Sequence, residues 1–207
     1  RLVGSEMCIR DRFCMAREFK YKQNEIIVEK AVKYRSRGVV GIDLAGTEKN
    51  PMENDAKRLD EYAELAKYAS TNRLGVTIHT GETEHTGVDA IVKAIHKLNP
   101  NRIGHGIAAA HSELVMGIIK ERGITLEICP SSNLSTGAIR DQEHLKRHLQ
   151  TFIKREVKWT VNTDGPYMLD TNLQQEFALL ENIGVFKDIS EKLSIMEEAW
   201  DSAFVRR

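Results

Sequence analysis

The sequence predicts an α/β fold, a partial TIM (β/α)8 barrel. Three observations carry that reading. Helical stretches alternate with short strand-like runs from Phe13 onward, the pattern of parallel β/α units. Several runs are apolar throughout, as strands covered on both faces are. The chemically useful side chains fall at the carboxyl ends of the runs. A barrel gathers those ends around one mouth, where barrel active sites lie; an open doubly wound sheet would spread them along an edge.

The elements follow in order. "FCMA" reads as the tail of a strand. "NEIIVEKAVKYRSRG" predicts a helix with Ile26, Ile27, Ala31 and Tyr34 on its apolar stripe and Gly38 as its stop. "VVGIDLAG" predicts a strand. "NDAKRLDEYAELAKYASTNR" predicts a helix opened by Asn54, and "LGVTIH" the next strand. "GVDAIVKAIHKL" is helical and "RIGHG" a very short strand. "SELVMGIIKERG" is a helix opened by Ser112 and closed by Gly123, and "ITLEICP" a strand stopped by Pro130. "DQEHLKRHLQTFIKR" is a helix and "VKWTVNTD" a strand. "NLQQEFALLEN" and "EKLSIMEEAWDSAF" are the last helices.

Composition bounds the function. The 207 residues carry 30 Lys+Arg and 30 Asp+Glu, so no net field favours nucleic acid or an anionic membrane. No apolar run is long enough to span a bilayer. There is no GxGxxG and no GxxxxGK[ST], hence no phosphate loop of either kind. Cys8, Cys14 and Cys129 form no CxxC and no disulfide framework; a reducing, cytoplasmic compartment is expected, with Cys129 a buried strand thiol. The opening "RLVGSEMCIRDR" lacks the apolar segment of a signal peptide and resembles translated sequencing-adapter sequence. Residues 1–12 are therefore read as a non-native leader and 13–207 as one incomplete barrel domain. The oligomeric state is not legible.

Candidate chemistry sits at the strand ends. Asp43 and Gly46 end one run, and His79 and Glu82 the next. His105 ends the third, Ser131 and Asn133 follow the fourth, and Asp164 ends the fifth. Imidazole and carboxylate suit a divalent metal such as zinc, and Glu82 is placed as a proton donor beside one candidate ligand. His144 and His148 share helical i,i+4 spacing, but Leu145 stands where a metalloprotease helix needs Glu. With Lys and Arg around them they read as a solvated helix face. His96 and His111 read as structural, and His85 as a loop or rim residue.

Five motifs in this order resemble the adenosine deaminase family of metal-dependent amidohydrolase-type barrels: "GIDLAGTE" from Gly41, "HTGE" from His79, "RIGHG" from Arg102, "LEICPSSN" from Leu126 and "NTDGP" from Asn162. The resemblance covers about Phe13 to Phe204. It implies Zn2+ as cofactor, a purine nucleoside as small-molecule partner, and loss of ammonia to leave an inosine-type product. It implies that His79 and Asp164 ligate zinc. Glu82 would protonate the purine N1, and His105 would orient the attacking water. Gly46 would offer its backbone N–H to N3.

Three departures stand out. The family's HxH ligand pair, on its first barrel strand, is absent, which implies a barrel lacking its first strands. Gly165 follows Asp164 where a second acid is common. Thr47 stands where an acid usually follows the glycine. A different 6-aminopurine compound is thus an open substrate. Two rival readings are another metal-dependent hydrolase on the same barrel and a non-catalytic barrel relic.

Overall fold

A computed structural model describes residues 11–49, 55–83 and 85–204. The strands are β1 (Asp11–Ala16), β2 (Val39–Ala45), β3 (Gly75–Thr80), β4 (Arg102–His105), β5 (Thr125–Ile128) and β6 (Trp159–Val161). Between and after them run α1 (Tyr21–Lys33), α2 (Ala56–Thr71), α3 (Val88–Leu98), α4 (Glu113–Glu121), α5 (Pro130–Ser135), α6 (Gln142–Arg155), α7 (Leu173–Asn182) and α8 (Ile189–Asp201).

All six strands pair in parallel in the order β1-β2-β3-β4-β5-β6. A doubly wound sheet reverses its order at a switch point; this one does not. The sheet also curls. Flat, it would hold β1 and β5 roughly 19 Å apart at the usual strand spacing. Instead Arg12 Nη1 on β1 donates to Glu127 Oε1 on β5 at 2.5 Å. Consecutive order and strong curvature together make this part of a (β/α) barrel wall.

The two faces of the wall differ in chemistry because side chains alternate along a strand. Ile42, Leu44, Val76, Ile78, Ile103, Leu126 and Trp159 are fully buried in the apolar layers formed with the helices. Their neighbours on the concave side are polar and meet one another. Arg12 reaches Thr77 and Glu127, and Arg102 reaches Glu127 and Thr160.

Several local expectations shift. β1 opens at Asp11, two residues before Phe13, and so takes in Asp11 and Arg12. Residues 1–10, the rest of the expected leader, lie outside the described residues, as does Asn54. Asp55 caps α2 by accepting from the Arg58 N–H at 3.2 Å. α1 buries Asn24, Val28 and Ala31, while Ile26 is exposed. The cause is Asn24, whose side-chain amide bonds both the N–H and the C=O of Ala16 at 3.0 Å and so sets the helix rotation against β1. Beyond the strand that Pro130 stops, "PSSN" turns into the short helix α5 with Pro130 at its start, where proline's missing N–H costs nothing.

A further correction concerns His144 and His148. They do not share a solvated face. His148 is buried, because its side of α6 packs on the 3-10 turn Ile107–His111, where the His148 and His111 rings stand edge to face. His96 and His85 are exposed.

Candidate active site

The polar groups predicted at the strand ends do gather at the carboxyl mouth, though not all in direct contact. His79 projects from β3. Its Nδ1 lies 2.9 Å from Oδ1 of Asp43, a buried residue on β2. Asp43 in turn lies 3.6 Å from Arg12. The next strand makes room for the imidazole: a Cβ at Gly104 would sit 2.7 Å from the His79 ring. The glycine inside "RIGHG" is therefore a steric requirement of "HTGE".

His105 ends β4 with its ring 5.3 Å from that of His79, near perpendicular. Asn133 Nδ2 donates to His105 Nδ1 at 3.0 Å. A neutral His105 then carries its proton on Nε2, which lies 3.4 Å from Glu82 Oε2. Thr136 Oγ1 donates to the other Glu82 oxygen at 3.1 Å. Asp164, beyond β6, is exposed and accepts from Ser132 Oγ at 2.7 Å. His105 (φ 57°) and Asp164 (φ 56°) both adopt the left-handed region. Such backbone is uncommon outside glycine and gathers at functional sites.

Gly46 lies beyond β2 with φ 111°. Arg17 Nη1 donates to its carbonyl at 2.8 Å, and the Thr47 N–H donates to Glu18 at 2.7 Å. The Glu18 carboxylate occupies the space a Cβ at Gly46 would need. Buried Glu48 holds the loop after β3, accepting from the Thr83 N–H and Oγ1, each at 2.7 Å.

These surroundings shift protonation. For His79, burial works against the charged imidazole, but the hydrogen bond and charge of Asp43 outweigh it and raise the pKa. Burial, then the His79 charge, pulls His105 down to about 4. Burial raises the Glu82 pKa; the Thr136 hydrogen bond opposes this, and the nearby Glu48 and Asp164 charges reinforce it. Glu82 is thus biased toward the protonated acid, beside an imidazole biased toward neutral.

The same shifts fix an acid response. His105 and His148, the latter also lowered to about 4 by burial, sit below their ordinary 6.5. Between those values the unfolded chain binds more protons, so stability falls as pH falls through the window. His79 and Glu82, both raised, act in the opposite direction, as pH rises through their folded values, so inside the window one carboxyl opposes two imidazoles. The urea midpoint measured in chelator is expected to drop steadily from pH 6.5 to 4.5; a flat or rising midpoint would contradict these environments.

Asp43 takes His79 Nδ1 and Ser132 takes Asp164 Oδ2, leaving His79 Nε2 and Asp164 Oδ1 as donor atoms. A carboxylate behind a ligating histidine is the usual outer-shell arrangement of a metal centre, so the donor types fit zinc. The fit is partial. A tetrahedral shell needs four donors. Among the described residues the convergent metal-type group is His111, His144 and His148, not this one. Sequence reasoning placed Asp43 and Asn133 at strand ends without assigning either a partner, and it missed Ser132, Thr136, Glu18, Arg17 and Glu48. Asp43 had a readable signal, an acid inside the apolar run "VVGIDLAG". The others depend on contacts between distant segments.

A parallel barrel wall with an acid–imidazole pair at its carboxyl mouth is the architecture of a (β/α)-barrel hydrolase. Within that class, the chain belongs to the adenosine deaminase family, whose profile matches residues 5–206. It is 40% identical over 165 residues to an aminodeoxyfutalosine deaminase of Acidothermus cellulolyticus, covering 77% of this chain and 44% of the relative. It is 36% identical over 155 residues to an adenosine deaminase of Clostridium botulinum, covering 74% of this chain and 44% of the relative. The chain thus spans less than half the length of the curated relatives it matches. The crystal structure of an Arabidopsis N6-mAMP deaminase superposes with a TM-score of 0.78 at 28% identity, covering 95% of this chain and 55% of that one.

Proposed function

We propose that the protein carrying this chain performs zinc-dependent hydrolytic deamination of a 6-aminopurine compound, releasing ammonia and an inosine-type product. The observation that carries this is the pairing of Glu82, biased toward its acid form, with neutral His105, 3.4 Å apart at the barrel mouth.

His79 Nε2 and Asp164 Oδ1 would be this chain's zinc donors. Zinc, when bound, lowers the pKa of water toward neutrality. The remaining roles belong to side chains. Glu82 gives its proton to the purine ring nitrogen N1, so that charge is not left on the ring as C6 is attacked. His105, held by Asn133, presents Nε2–H to the attacking water and orients it. Asp43 fixes the His79 tautomer and ring plane. Arg17 and Glu18 hold the Gly46–Thr47 loop, whose Gly46 N–H serves ring nitrogen N3. Free Cys14 and Cys129 support a reducing, cytoplasmic setting. Among the described residues no helix is long and apolar enough to cross a membrane.

Gly165 and Thr47, in positions where the family commonly has acids, favour a substrate other than plain adenosine. The relative named aminodeoxyfutalosine deaminase agrees with that preference. The test is ammonia release by the zinc-loaded protein from adenosine, aminodeoxyfutalosine and N6-mAMP-type nucleotides, beside a simple ester. Ammonia from at least one purine, with adenosine not the best, is the expected result. Ester turnover without ammonia would replace the deaminase reading by another metal-dependent hydrolysis.

A further inference from the structure

The deamination reading leaves a second imidazole group without a role. His144 and His148 lie one turn apart on α6, their rings 4.2 Å apart at 84°. His111, at the end of the 3-10 turn before α4, closes on the same point. Its ring is 4.8 Å from that of His148, also at 84°. One ring nitrogen from each of the three lies within 4.8 Å of the other two.

We propose that His111, His144 and His148 form a second metal site, one that takes a divalent transition ion such as Zn2+ or Ni2+. Distances favour it. His148 Nε2 and His111 Nε2 are 3.3 Å apart. Two nitrogens bound tetrahedrally to zinc at the usual bond length are separated by about 3.3 Å. Orientation favours it too. His148 Nδ1–H donates to the His144 carbonyl at 2.9 Å. That bond fixes the buried ring and directs the Nε2 lone pair at the cluster, as outer-shell bonds do in metal centres. His144 is the adaptable leg: its Nδ1 receives only a long 3.4 Å bond from the Arg140 N–H.

Donor type selects the ion. Three imidazoles and no carboxylate suit zinc, nickel or copper and not magnesium or calcium. Access is open, since His111 is exposed while His148 is buried. Three protein donors leave a coordination position free. His111 and His148 line a cavity of about 470 Å³ together with Glu82, Thr83, Ile107 and Ile139. An ion held by His111 and His148 would border the same cavity that Glu82 lines, able to take a water or an anionic group.

Calorimetric titration of the 207-residue chain with Ni2+ tests this independently of deamination. His111→Ala and His144→Ala change side chains that are not buried, and each is checked for an unaltered melting curve without metal. Each is expected to weaken Ni2+ binding on the order of tenfold or more, while His79→Ala leaves this site's affinity unchanged. Wild-type affinity in His111→Ala and His144→Ala would overturn the site. So would loss of all binding in His79→Ala, which would assign the ion to the strand ends.

Discussion

Replacing Glu82 by Gln is expected to lower kcat for purine deamination roughly 10²- to 10⁴-fold, the usual worth of a positioned general acid, with KM changed little. Gln keeps the shape and can still accept from Thr136 Oγ1, which lies 3.1 Å from the carboxylate. It cannot deliver a proton. Because Glu82 titrates above its ordinary value, the wild-type rate should fall on the alkaline side as this carboxyl ionises. The variant should lose that limb. Steady-state kinetics across pH make the check. A kcat within threefold of wild type, or an alkaline limb that survives the substitution, would remove Glu82 from the acid role.

Glu127→Ala is expected to destabilise the fold by about 3–5 kcal/mol, the range for stripping one partner from a buried ion pair. Glu127 is 6% exposed. It accepts from Arg12 at 2.5 and 3.0 Å and from Arg102 at 2.5 Å. Its removal leaves two guanidinium groups facing each other inside the barrel wall, with the Arg102 side chain only 11% exposed. Urea unfolding measures the loss, and Glu127→Gln, which keeps an acceptor, should lose less. A change under about 1 kcal/mol in the Ala variant would mean that water enters the barrel and solvates the arginines.

These two residues mark different degrees of legibility. Glu82 was found in the sequence because it follows a strand that ends on His79, and a strand end of a parallel sheet is an address for chemistry. Glu127 sits within "LEICP" and carried no signal as a network member. Its partners are Arg12 and Arg102, 115 and 25 residues away, and nothing local announces such a meeting. The helix faces divide the same way. Ser112 was read as the cap of α4, and its side chain does accept from the Val115 N–H, a bond formed within one turn. On α1, Ile27, Ala31 and Tyr34 pack on the core as the pattern predicts, and Ile26 alone is exposed, because the amide of Asn24, bonded to β1, sets the helix rotation.

His144 and His148 show the limit most plainly. Spacing placed them on one side of a helix, and the surrounding Lys and Arg residues pointed that side at solvent. The packing of α6 on the turn at His111 reversed it.

The sequence by itself determined the alternation of strands and helices, the parallel barrel class, and the strand ends that carry His79, Glu82, His105 and Asp164. Those follow from local periodicity and from one rule of barrel geometry. The tertiary structure alone decided which polar groups touch: Asp43 with His79, Asn133 with His105, Glu127 with two arginines, and His111 with His148. Each pair joins segments 25 to 115 residues apart, and only the curl of the sheet and the docking of helices bring such segments within hydrogen-bond reach.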